Sequence, residues 1–147
     1  MSDDREVIIS VVGNQTDSNG GGVPLELVTE GKFYREESGY MAVYKETEIT
    51  GMDGTVTTVA ISPEKVVLTR VGSVNSQLIF ENGQRHVSHY DTIHGAFTIG
   101  VFTHAMFIKV NEHGGEIKIE YHLEIDNADA GTSDFHMIIR EVGNDER

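Results

Sequence analysis

A chain of 147 residues is the length of one domain, and the absence of cysteine excludes disulfides, thiolate nucleophiles and cysteine-ligated zinc or iron–sulfur centres. Its 24 acidic residues against 11 basic ones leave a formal charge of −13, a field that repels phosphate backbones and anionic lipid and argues against nucleic acid as a partner. No apolar run approaches the roughly 20 residues that span a bilayer, and the opening MSDDREVIIS carries acids where a signal peptide carries bases, so a cytoplasmic protein with no membrane partner is expected.

Taken in chain order, the apolar residues follow a period of two and predict strands over 5–13, 25–36, 40–50, 55–61, 65–71, 74–81, 84–92, 96–110 (one strand or two), 116–126 and 134–142. The clearest is EIKIEYHLEID, where Ile117, Ile119, Tyr121, Leu123 and Ile125 alternate with charged residues and His122, the pattern of a strand with one buried face. No window carries the apolar stripe of a helix. Turn signals separate the strands at short intervals: ESG before Tyr40, GMDG at 51–54, SPEK at 62–65, VGS at 71–73, Asn82-Gly83, Ile93-His94-Gly95 and EHGG at 112–115. Tight consecutive turns make an antiparallel meander, and a meander of this many strands removes its two exposed edges by closing. The expected fold is all-β: a single domain over 1–147, closed as an up-and-down, lipocalin- or calycin-like barrel. Flexible loops are expected near 13–24 and 127–134, with a loose C-terminal tail.

The stretch RHVSHYDTIHGAFTIGVFTH holds four of the seven histidines, His86, His89, His94 and His104. A two-residue loop at Asn82-Gly83 pairs Leu78 with Val87 and Ser76 with His89. A three-residue loop Ile93-His94-Gly95 pairs Val87 with Val101 and His89 with Ile99. On this register Phe97, Ile99 and Val101 face the core, His89 points inward with Asp91 on the same face, and Tyr90 points out. His86 and His104 then share the outer face near Phe102. A two-residue loop at Ile93-His94 would instead bury His86. Neither register gathers three histidines, so no metal site is expected. There is no GxSxG elbow, P-loop or GxGxxG, and SNGGGVP precedes a strand rather than a helix. No catalytic residue and no cofactor are therefore assigned.

The segments YMAVYKETEITGMDGTVTTVAI, VVLTRVG, HYDTIHGAFTIGVFT and FHMIIRE together resemble the YwiB-like family of small bacterial proteins. That family's Tyr-x-x-x-Tyr-x-Glu strand, Arg-x-Gly turn and Tyr-x-Thr-x-x-Gly hairpin look like Tyr40, Tyr44 and Glu46, then Arg70 and Gly72, then Tyr90, Thr92 and Gly95, over residues 27 to 141. The resemblance implies a calycin-like barrel, similar to lipocalins and fatty-acid-binding proteins, and brings no assigned activity. By analogy of fold it implies a cup that holds one small ligand.

Three readings follow. The first is a non-enzymatic barrel with a small-molecule ligand in its cup, held by apolar walls and by Tyr44, Glu46, Arg70, His89 and Tyr90. The second is a filled barrel that works through its outside as an interaction module or homodimer, with a patch near His86, Phe102 and His104. The third, a hydrolase using His89 and Asp91, lacks a nucleophile. Inward Glu46 and Arg70 would have to pair with each other or with a ligand, because an isolated interior charge is too costly.

Overall fold

A computed structural model describes residues 5–16 and 25–142. Among them, ten strands form one antiparallel meander: β1 (Arg5–Thr16), β2 (Leu25–Glu36), β3 (Gly39–Lys45), β4 (Val56–Ile61), β5 (Val66–Val71), β6 (Asn75–Phe80), β7 (Arg85–Thr92), β8 (Gly95–Asn111), β9 (Gly114–Ile125) and β10 (Ala128–Glu141). Each strand pairs with its neighbour in sequence, and β1 pairs with β10 through Val7↔Glu141 to Thr16↔Thr132, so the barrel is closed as expected. The one helical element among the described residues is a 3₁₀ turn, Glu48–Thr50, and no helix is long and apolar enough to cross a membrane.

Inward side chains alternate along every strand, and at one end they fill the barrel. Phe33 stacks on Tyr40 with ring centroids 5.4 Å apart, and Phe80 meets Tyr121 edge to face at 4.9 Å. Around these rings Ile9, Leu68, Ile117, Ile119 and Met137 are fully buried. This end is bounded by the β2–β3, β4–β5, β6–β7 and β8–β9 turns.

Several expected boundaries move. The segment predicted as strand 40–50 stops at Lys45, because Thr47 accepts a hydrogen bond from the Ile49 backbone and starts the 3₁₀ turn, which Gly51 ends in the left-handed region at φ 77°. Residues 127–134 are not a loop. Asp126 and Asn127 sit at φ 51° and 70°, making a tight two-residue turn, and β10 begins directly at Ala128. A β-bulge between Asp129 and Thr132 absorbs the glycine-containing part of that segment. Of the loop expected at 13–24, residues 13–16 belong to β1, and the rest lies outside the described residues, as does the tail from 143. Residues 96–110 form one strand whose register shifts between Thr103 and Ala105. That bulge at His104 switches the inward set from Ile99, Val101 and Thr103 to Met106, Ile108 and Val110.

The main correction concerns β7. The Asn82-Gly83 segment does not close a two-residue hairpin. Gly83 N–H donates to the Thr103 carbonyl and Thr103 N–H to that of Gln84, which draws the connection onto β8. As a result β6 and β7 pair through Asn75↔Asp91 and Ser76↔Tyr90, one residue away from the expected register. The following bend is one residue shorter than the preferred loop and is the two-residue alternative at Ile93-His94, with Thr92 facing Gly95. The two shifts cancel for β8, whose Ile99 and Val101 face the core as predicted. They do not cancel for β7: Val87, His89 and Asp91 are exposed, while His86, Ser88, Tyr90 and Thr92 turn towards the interior.

Candidate functional site

The end opposite the filled one is a cup of about 800 Å³, opening among the end of β1, the start of β2, the β3–β4, β5–β6 and β7–β8 connections, and the start of β10. Its walls carry Leu78, Phe97, Ile99, Leu123 and Ile125, and its deeper part carries Arg70, Tyr90 and Tyr121. A volume of this size lies within the range of roughly 300–1,000 Å³ typical of small-molecule pockets.

Strand pairing aligns a single row of inward residues, of which Arg70, Tyr90 and Phe97 line the cup. Tyr44 faces Thr57, Thr57 faces Arg70, Arg70 faces Ser76, Ser76 faces Tyr90 and Tyr90 faces Phe97. Because opposed residues in an antiparallel pair share a face, one inward tyrosine fixes the direction of the whole row. The Val66–Leu68–Arg70 face of β5 is therefore the buried one, and Val71 on the other face is exposed.

Glu46 lies two residues beyond Tyr44 on the same face, with its side chain 2% exposed. Its Oε1 accepts from the Thr50 hydroxyl at 2.9 Å and its Oε2 from the Thr57 hydroxyl. The 3₁₀ turn supplies Thr50, and the alternation of β4 supplies Thr57. The Arg70 Nε stands 3.6 Å from Glu46 Oε2, a charge contact that makes no hydrogen bond, and the Arg70 side chain is 15% exposed. Among the described residues the Nε of Arg70, Ser76 Oγ and Thr103 Oγ1 are buried without partners. Burial pushes the Tyr44 hydroxyl well above the ordinary tyrosine range, and the adjacent Glu46 charge adds to that shift while Arg70 opposes it. Burial likewise raises Tyr121, against a lowering by its hydrogen bond to Ser133. Both tyrosines are neutral at neutral pH.

The rim beside this row is braced by short polar contacts. Thr55 Oγ1 and Ser73 Oγ are 2.8 Å apart, and the Asn75 side chain bridges the backbone N–H and carbonyl of Gly72 at 3.2 and 3.1 Å. Gly72 itself sits at φ 147° against β4, where a Cβ would lie 2.3 Å from the Gly54 carbonyl oxygen. At the β7–β8 bend the Thr92 hydroxyl accepts from His94 N–H at 3.0 Å and donates to the Gly95 carbonyl at 3.2 Å.

Of the five residues expected to line a cavity, Arg70 and Tyr90 line the cup, whereas Tyr44 and Glu46 share their face but are buried outside its lining. His89 does neither: β7 presents it to solvent, and Tyr90 takes the place beside Ser76 that the expected register gave to His89. The outer patch expected at His86, Phe102 and His104 also loses His86, whose Nε2 instead meets Glu81 Oε1 at 3.0 Å. His104 remains next to Phe102, with ring centroids 4.9 Å apart. His122 and His136 each pair with a carboxylate, Asp129 at 2.9 Å and Glu116 at 2.6 Å. No three His, Asp or Glu side chains among the described residues group as metal ligands. Sequence reading missed Thr50 and Thr57 as the groups that hold Glu46. The segment TVTTVA has no strict polar–apolar alternation to assign Thr57 a face, and its partner was not readable without the register.

Residues 9–137 match the family model described as a domain of unknown function, DUF1934. The fold is similar to the crystal structure of the ywiB protein from Bacillus subtilis, with a TM-score of 0.80 and 16% sequence identity over 95% of this chain and 94% of that one. No curated protein matches the chain.

Proposed function

The chain belongs to the DUF1934 family, and from that premise and the geometry of its open end we propose that it is a binding barrel that holds one small molecule in the cup. The observation that carries this reading is the cup itself: an interior of about 800 Å³ with apolar walls and a small set of convergent polar groups at its floor. The filled-barrel alternative requires a close-packed interior throughout, and only one end has that. Binding suits the site better than turnover, because both oxygens of Glu46 are held by threonine hydroxyls and Tyr44 keeps its proton.

A thermal-shift screen with chemically diverse small molecules, followed by calorimetric titration, tests the proposal. Ligands that fit raise the melting temperature with a concentration dependence set by mass action, and titrate to one per chain. Leu123→Trp places a large ring in the cup. It is expected to abolish the shift while changing the unliganded stability by no more than about 1 kcal/mol, since it fills space rather than displacing a neighbour. A set of hits that Leu123→Trp still binds, or the absence of any hit, overturns the reading.

A further inference from the structure

Among the described residues Arg70 is the one arginine or lysine in the cup lining, and His94 stands at the β7–β8 bend. Glu46, the neighbour of Arg70, is already bound by Thr50 and Thr57, and approaches Arg70 only as a charge at 3.6 Å. Among the described residues Arg70 makes no hydrogen bond. Its Nε is buried, and its terminal amino groups are open to the cup. Ser76, next to it in the row, is 8% exposed with an unpartnered hydroxyl, and Tyr90 flanks Ser76 on the other side. The Arg70 terminal amino groups and Tyr90 therefore face the cup with no protein acceptor hydrogen-bonded to the guanidinium, while the Ser76 hydroxyl is buried outside the cup lining. Leaving desolvated donors unpaired is costly, and a guanidinium is best satisfied by a planar anion that accepts two of its N–H groups.

Resting on the ligand-binding reading above, we infer that the cup takes an amphipathic organic anion, with its carboxylate on Arg70 and its apolar body along Leu78, Phe97, Ile99 and Leu123. A neutral head group offers weaker acceptors, and a cationic one is repelled. Asp134, at the mouth, is solvent-exposed and stands on the outward alternation of β10. The overall charge of −13 repels anions at long range, so the preference is created at the floor and not by steering.

Decanoate and decanol share a chain length and differ in the head group. Calorimetric titration of the full chain with each at neutral pH is expected to show decanoate binding at least about tenfold more tightly, the scale of a hydrogen bond to a charged group. Removing Arg70 alone strips Glu46 of its counter-charge, so the variant to compare is the double exchange Arg70→Gln with Glu46→Gln, checked for folding by circular dichroism. In it the preference for decanoate disappears. If decanoate binds the native chain no more tightly than decanol, or if the preference survives in the folded double variant, the anion inference is overturned while the ligand-binding reading stands. If neither compound binds and the wider screen is also empty, both are overturned.

Discussion

The two ends of this barrel are built by the same ten strands and the same inward alternation, yet one is solid and the other is hollow. At the filled end the inward positions are mostly apolar, and large rings meet: Phe80 touches both Tyr121 and Phe135, with centroids 4.9 and 6.4 Å away. At the open end the inward positions turn polar at one level, from Tyr44 through Thr57, Arg70 and Ser76 to Tyr90, and beyond that row the walls do not meet across the lumen. An interior that only had to be stable would close over this level with more side chains, since each buried apolar group adds to stability and each unpaired polar one subtracts from it. The departure from local consistency is largest at this row and the cup above it, which is where a functional site is expected to break the rules that shape the rest of the fold.

The largest separation between the two ends should come from truncating an aromatic ring in each. Phe80→Ala opens a cavity in the filled end and is expected to cost about 3–5 kcal/mol in chemical denaturation. Phe97→Ala, in the half-buried cup wall, should cost about 1 kcal/mol. Equal losses at the two positions would mean that the cup is not hollow in solution.

The boundary row provides the next effect. Glu46→Ala leaves the Arg70 charge without its counter-charge and Thr57 without its acceptor. Denaturation should register a loss near the lower end of about 3–5 kcal/mol, because Arg70 still reaches water through the cup. Glu46→Gln, which keeps an acceptor, should lose less, and the reverse order would show that Glu46 is not held as described.

A smaller effect is expected in alkali. The hydroxyl of Tyr44 is pushed above its ordinary value by burial and by Glu46, so as pH rises past about 10 the unfolded chain releases this proton while the folded chain retains it. The folded state then binds more protons than the unfolded one, and stability falls as pH increases. Tyr121 contributes in the same direction. Tyr44→Phe should make the alkaline limb of the melting temperature shallower. An unchanged limb would count against a buried, protonated Tyr44.

How far the sequence carried this picture differs strand by strand. In β9 the alternation of Ile117, Ile119, Tyr121 and Leu123 with charged residues left only one face that could be buried, and the structure agrees. In β7, RHVSHYDT, polar residues occupy both faces, and one apolar side chain on each offers no preference. Its direction therefore depended entirely on two turns. Each turn differed by one residue from the preferred loop length: at the first, backbone hydrogen bonds between Thr103 and both Gly83 and Gln84 drew the connection onto a strand farther along the chain, and the second closed across Ile93-His94 alone. His89 and Tyr90 exchanged places for that reason.

The sequence by itself determined the all-β class, the meander, the closure and the inward set of the apolar strands, since these follow from a period of two and from turn chemistry acting over a few residues. The same strand logic put Tyr44 and Glu46 on one face. Only the tertiary structure decided that this face meets that of Arg70 and Tyr90 in one row, that Glu46 is taken by two threonines, and that the barrel stops filling at that level. Those outcomes rest on register between strands and on the volume left after all side chains have been placed. Both are properties of the closed barrel, and no local pattern in the chain encodes them.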